Sequence, residues 1–198
     1  MMNIRRETGN YFSREEGTPE PICVNLCRRV QFSEADAMGI VWFGHYLRYF
    51  EEAAAELGRQ SGLSYKDLFE TGLRTPVAQV HVDYHLPLRI DEQFVIKAVM
   101  IWSEGARLNT EYSLIKEDGS LAATGYSVQL FIDAGNGDVC LVVPPILGEF
   151  RKKWKDGKFK VFPLLERGTE GDLENVVKIS PTPLYKRGKK MPSRRIKF

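Results

Sequence analysis

Asp36 sits in a short turn, Ser33–Gly39, that runs straight into an amphipathic segment beginning near Gly44. A helix start collects free backbone N–H groups and the positive end of the helix dipole. A carboxylate beside such an amide cluster is suited to attack on an activated carbonyl. The acid serves as base or nucleophile, and the amides hold the developing oxyanion. A turn carboxylate that only satisfies local N–H groups is the structural alternative for Asp36.

Other residues could join that chemistry. Gly39 supplies a positive φ, a close approach to a ligand, or a plain turn. His45, one or two residues into the helix, could touch a substrate or hydrogen-bond Asp36, or simply start the helix. Trp42, Tyr46 and Tyr49 could line an aromatic pocket or pack in a core. Glu51 and Glu52 do not share a helix face, and a solvated or interface role is expected for them. His81, Asp83 and His85 alternate on one strand face, but they spread over about 13 Å. No metal site is therefore expected.

The elements that position these groups follow from periodicity. Ile22 to Phe32 alternates as a strand, with Val24, Leu26, Arg28, Val30 and Phe32 on one side. A helix runs from about Gly44 to Ser61. Its apolar stripe is Tyr46, Phe50, Ala53, Ala54 and Leu57, and Gly62 stops it. Ser64 to Thr71 reads as a second, short helix. After Pro76 the period becomes two, with Ala78, Val80, Val82, Tyr84 and Leu86 sharing a face. Strands are predicted at Gln93–Trp102, Arg107–Lys116, Leu121–Asp133 and Val139–Val143, joined by short turns at Asp91, Gly105, Gly119 and Gly135-Asn136-Gly137. Pro144-Pro145 ends the series, and Leu147–Lys155 forms a last helix. One helix with an apolar stripe must bury it on the only large partner, the sheet. The expected class is α+β, an antiparallel sheet wrapped around one long central helix. The open sheet leaves an edge strand that calls for a second subunit.

The chain has 198 residues, 43% hydrophobic and 27% charged, which suits one globular domain. No apolar run approaches the ~20 residues of a membrane helix. The polar N-terminus is no secretory signal, so a cytoplasmic location is the expectation. Three cysteines, Cys23, Cys27 and Cys140, read as buried thiols rather than a disulfide framework. Charge is asymmetric. Residues 1–150 hold 13 Lys+Arg against 21 Asp+Glu, and residues 151–198 hold 15 against 5. The organisation reads as a mobile leader (1–20), a folded domain (21–155) and a basic extension (156–198). The extension carries no nucleic-acid motif, so packing on the acidic body or on a neighbouring subunit is the expected role.

The run Asp36-x-x-Gly39-Ile40-Val41-Trp42-Phe43-x-x-Tyr46, followed by Arg48, Tyr49-Phe50 and later Thr75-Pro76, resembles the hotdog-fold acyl-CoA thioesterases of the 4-hydroxybenzoyl-CoA thioesterase type. The resemblance spans roughly residues 24–150. It implies a hotdog fold and hydrolysis of an acyl-CoA to a free acid and coenzyme A. It also implies Asp36 as catalytic carboxylate and the Phe43 N–H as the group that polarises the thioester carbonyl. Gly39, Trp42, His45, Tyr46 and Arg107 then belong to the substrate site, with the site at a dimer interface and dimers pairing into tetramers. No cofactor is implied, since coenzyme A is part of the substrate. Many relatives carry His or Tyr where this chain has Phe43, so only the amide could act here. The loop Ser103-Glu104-Gly105 lacks the basic cluster some relatives use for nucleotide phosphates. Arg107 is the nearby substitute, and thioesters of acyl carrier protein stay open as substrates. A non-catalytic acyl-CoA-binding module, or a dehydratase pairing His45 with Asp36 or Glu52, would use the same fold.

Overall fold

The computed structural model describes residues 10–159 and 164–166. Strand β1 (Ile22–Arg29) leads through a one-turn 3₁₀ helix (Phe32–Glu34) and the acidic turn into helix α1 (His45–Ser61). Helix α2 (Tyr65–Glu70), strands β2 (Leu73–Arg74), β3 (Val77–Tyr84), β4 (Gln93–Ile101), β5 (Arg107–Lys116), β6 (Leu121–Leu130) and β7 (Ile132–Asp133), helix α3 (Pro145–Lys155) and strand β8 (Leu164–Glu166) follow. The main sheet has the order β3-β6-β5-β4-β1-β8, and β2 pairs with β7 in a small second sheet. Neighbours are antiparallel except β1 and β8, which run parallel.

The helix stripe packs on β4 and β1. Tyr49, Ala53 and Leu57 are fully enclosed, and Phe50 stacks on Tyr112 with ring centroids 4.3 Å apart. Each large side chain so enclosed contributes about 1.5–3 kcal/mol. Gly62 ends α1 in the left-handed conformation, φ 75°, as expected of a C-terminal stop. Ser64 and Asp67 exchange the reciprocal bonds that open α2.

Several expectations need correction. Phe32 is not a core residue; it is 83% exposed, because the chain leaves the sheet at Arg29. The strand expected to Asp133 breaks at Phe131, and β7 turns away to meet β2. Val139–Val143 forms one bridge, Val139 to Ile132, rather than a strand. On β3 only Val82 packs against the core. Val80, Tyr84 and Leu86 are exposed, since β3 is an edge strand and α1 packs mainly on β4 and β1.

The segment before β1 crosses the other face of the sheet. The amides of Tyr11 and Phe12 donate to Glu111 Oε1 at 2.5 and 2.8 Å, and the Tyr11 hydroxyl donates to Asp83 Oδ2 at 2.8 Å. Tyr11 and Phe12 both rest on the Tyr126 ring. So this part of the expected leader is a strap on the sheet. Trp154 Nε1 donates to the Glu20 carbonyl at 2.7 Å, tying α3 to the strap's far end. At the other terminus β8 lies past residue 155 and pairs with β1. The rest of the basic extension lies outside the described residues.

Candidate active site

The acidic turn folds back on itself. The Glu34 carbonyl accepts the Trp42 N–H at 2.9 Å, Ala35 bridges Val41, and the Asp36 N–H donates to the Ile40 carbonyl at 2.8 Å. The Gly39 N–H closes the tip on the Asp36 carbonyl at 3.0 Å. Val41 N–H to the Leu88 carbonyl, 2.9 Å, pins the loop to the segment after β3. Gly39 has φ +74°, and a Cβ there would meet nothing within 4 Å. The glycine therefore serves the left-handed turn and not a close contact in this chain.

Asp36 thus lies on one arm of the fold-back, and the chain enters α1 from the other. Asp36 is half-buried, and its Oδ1 accepts the Met38 N–H at 2.8 Å. That bond is the local satisfaction foreseen as the structural alternative. It occupies one oxygen; among the described residues no donor meets Oδ2. On the other arm, the His45 N–H donates to the Trp42 carbonyl at 2.9 Å and the Tyr46 N–H to Phe43 at 3.4 Å. The N–H groups of Phe43 and Gly44 meet no acceptor among the described residues. No acidic side chain occupies the first turn of α1 to neutralise that end.

The aromatic residues divide between surface and core. Trp42 and Phe43 are exposed, with centroids 4.7 Å apart, and half-buried His45 stands edge-on to Trp42 at 5.7 Å. The Tyr84 hydroxyl donates to the Phe43 carbonyl at 3.1 Å. Tyr46, expected at the substrate, is instead 3% exposed and packed edge-to-face on Tyr84 and Tyr49. Its place on the apolar stripe commits it to the core. His45 makes no bond to Asp36 among the described residues.

Arg107 is not brought to this site within the chain. It opens β5, whereas the far end of β5, Lys116, reaches the Pro87 carbonyl next to the acidic turn. Ten strand residues separate those ends by about 30 Å. Arg107 binds the Ser103 hydroxyl at 3.1 Å and lines a groove of about 570 Å³ between the strap and the β4–β5 loop.

Beneath the turn lies a buried ionic group that periodicity did not reveal. Glu34 is 3% exposed. It pairs with Arg28 and accepts the Gln31 N–H at 2.8 Å and the Tyr49 hydroxyl at 2.9 Å. Burial alone would push its carboxyl up. The bonds from Gln31, Arg28 and Tyr49 outweigh burial and hold it below the usual range. Arg28 also faces Glu52 Oε2 at 3.3 Å, and Arg48 faces Glu52 Oε1 at 3.5 Å. Glu52, expected to be solvated or at an interface, is 9% exposed. Glu51 stays outside and accepts the Tyr65 hydroxyl at 3.3 Å. The signal for Glu34 was present: Gln31 and Glu34 have the spacing of a capping box. On β3, His81 pairs with Asp83 at 3.0 Å, while His85 turns to the Thr124 hydroxyl at 2.9 Å. Among the described residues no group of three or more His, Cys, Asp or Glu is arranged to hold a metal, and no helix is long and apolar enough to cross a membrane.

An antiparallel sheet packed on one long helix is the hotdog architecture. The sequence matches the Thioesterase-like superfamily over residues 30–168, and the chain belongs to that family. The protein sll0410 of Synechocystis sp. is 32% identical over 122 residues, 61% of this chain and 74% of its own. The acyl-CoA thioester hydrolase YbgC of Escherichia coli O6:H1 is 25% identical over 93 residues, 47% of this chain and 69% of its own. Among solved structures, a DHNA-CoA thioesterase from Staphylococcus aureus superposes with a TM-score of 0.62 at 23% identity, over 73% of this chain and 99% of that one. The chemistry of this chain is thioester hydrolysis.

Proposed function

We propose that the chain hydrolyses acyl-CoA thioesters, with Asp36 as nucleophile or general base and the Phe43 N–H as oxyanion donor, joined by the Gly44 N–H. One observation carries the reading: two uncommitted amides and an uncommitted carboxylate oxygen lie on the two arms of one closed turn. The thioester carbonyl accepts the amides. Either Asp36 adds to the carbonyl carbon, the C–S bond breaks and water then hydrolyses the resulting mixed anhydride to the free acid and Asp36, or Asp36 takes a proton from water that adds directly; in both routes coenzyme A leaves as thiolate and takes up a proton. The net reaction adds water across that bond and needs no cofactor. An oxyanion donor of this kind is worth about 3–4 kcal/mol in other enzymes. Trp42 and Phe43 offer an apolar wall for the acyl group, and Gly39 and His45 flank it. The names of YbgC and of the staphylococcal thioesterase support a coenzyme A thioester as substrate. The dehydratase pairing is not favoured, because Glu52 is committed to Arg28 and Arg48.

The working unit in this reading is a homo-oligomer. Among the described residues strand β3 has a free edge beside exposed Val77, Val80 and Tyr84, and Tyr84 reaches the Phe43 carbonyl next to exposed Trp42. Pairing of two β3 edges buries that strip and closes the site from the side. The test is thiol release over an acyl-CoA panel, with wild type beside Asp36→Asn. The asparagine keeps the bond to the Met38 N–H, so fold and oligomer are retained while turnover falls at least about 100-fold. Undiminished turnover in that variant removes Asp36 from the mechanism.

A further inference from the structure

We infer that Glu34 is the positioning residue of this site: it sets where the Phe43 and Gly44 amides lie relative to Asp36. The inference rests on the reading of Asp36 and the amides given above and deepens it.

Glu34 holds both arms of the turn at once. Its main-chain carbonyl accepts the Trp42 N–H at 2.9 Å, one peptide before the Phe43 amide. Its side chain accepts the Tyr49 hydroxyl at 2.9 Å, one turn into α1. Arg28 of β1 and the Gln31 N–H hold the same carboxylate from the sheet side. Asp36 follows two residues later on the same arm. One residue thus links the strand that launches the turn, the peptide that presents the amides and the helix whose start they form. Movement of Phe43 away from Asp36 must break the Trp42 bond or drag the carboxylate off Tyr49.

Stability alone does not account for this group. A buried ion pair is often no better for folding than apolar side chains of similar volume. Here two acids, Glu34 and Glu52, share one arginine beneath a surface turn, and Arg28 also lies 5.2 Å over the Tyr49 ring. Such a set is rigid because each charge depends on the next. Rigidity matters at an oxyanion site, where small misplacements are costly in rate.

The experiment compares wild type, Glu34→Ala, Glu34→Gln, Tyr49→Phe and Asp36→Asn as full-length protein, measuring kcat and KM for one acyl-CoA by thiol release. Circular dichroism and sedimentation report the folded, assembled fraction. The expected result for Glu34→Ala is a kcat per folded site lowered at least tenfold with KM within threefold. Glu34→Gln keeps the shape and can still accept from Tyr49 and Gln31, so it recovers kcat to within threefold of wild type. Tyr49→Phe lowers kcat by twofold to fivefold with KM held. A purely structural role would reduce the folded fraction and leave kcat per folded site unchanged, and that result overturns the inference. So does a loss confined to KM. If Glu34→Ala does not fold, Tyr49→Phe decides, and an unchanged kcat there counts against Glu34. Full turnover in Asp36→Asn overturns the site itself. A silent Asp36→Asn is therefore distinguishable from a silent Glu34→Ala beside an inactive Asp36→Asn.

Discussion

Gly44→Ala tests whether the indole of Trp42 shelters the helix-start amides. Gly44 has φ −67° and ψ −24°, ordinary helical values that alanine adopts freely. The constraint is spatial. A Cβ at this position would stand 2.0 Å from Cζ3 of Trp42 and 2.5–2.6 Å from two more ring atoms, so the ring must swing away. The loss is its contacts with Phe43 and His45, about 0.5–1.5 kcal/mol each. Against it stands a gain of about 0.4–1 kcal/mol from a less flexible unfolded chain. The net is a destabilisation of about 1.3 kcal/mol, or roughly 3–5 °C in Tm. Catalysis suffers as well, because water reaches amides that the ring had screened. The loss of one good hydrogen bond's worth, about 1.4 kcal/mol, is tenfold in rate. Acrylamide quenching of tryptophan fluorescence reads the ring directly. Trp42 is 47% exposed, whereas Trp102 and Trp154 are buried, so the quenchable signal is chiefly Trp42. The expected result is stronger quenching, kcat/KM down about tenfold, and no further loss when Trp42→Ala is added. Stronger quenching with full activity refutes the reasoning.

Two further perturbations probe what holds the site in place. Gly125→Ala puts a Cβ 2.2 Å from the His81 carbonyl and 2.6 Å from the Phe50 ring, wedging β6 against both β3 and α1. It should cost about 2–3 kcal/mol and lower Tm by roughly 4–12 °C. Adding Phe50→Leu should not restore the melting curve, because the backbone clash stays. Burial pushes the Glu111 carboxyl up, against the opposing pull of the Phe12 and Tyr11 amides and of Arg14. The folded chain therefore binds that proton more readily than the unfolded one, and stability declines as pH rises through the folded pKa. Glu111→Gln should raise the urea midpoint at neutral pH. The gain should shrink as pH falls toward about 4.3, where the unfolded carboxyl also takes its proton.

The parts of this molecule that repeat locally were legible in the sequence. Period two located β4 and β5 to within a residue. Spacings of three and four located α1 and most of its buried face, and the order of elements gave the sheet-on-helix class. The acidic turn was legible because the carboxylate, the glycine and the helix start are neighbours in the chain. What escaped depends on partners far apart in sequence. Tyr46 and Trp42 look equally fit to line a pocket, and only the register of α1 against the sheet buries one and exposes the other. Arg107 was expected at the substrate because it follows the loop that some relatives use for nucleotide phosphates, and nothing local says which end of β5 faces the turn. The bond from Tyr11 to Asp83 joins residues 72 apart, so a polar leader gave no hint of a strap. Gly44 passed as an ordinary helix-start glycine, since its reason is a ring folded back from two residues earlier.

The two borders of the main sheet are unequal. β3 offers a ladder of eight residues, whereas among the described residues β8 ends the opposite side with three that pair parallel to β1 in an otherwise antiparallel sheet. A short stub is a poor template for another strand. Copies that join through the long border in antiparallel fashion use it up on both sides, and what they then present outward is a pair of stubs. In the proposed assembly, growth by strand addition at that border stops at two, so the pairing that would close the pocket is also one that does not propagate into a fibre.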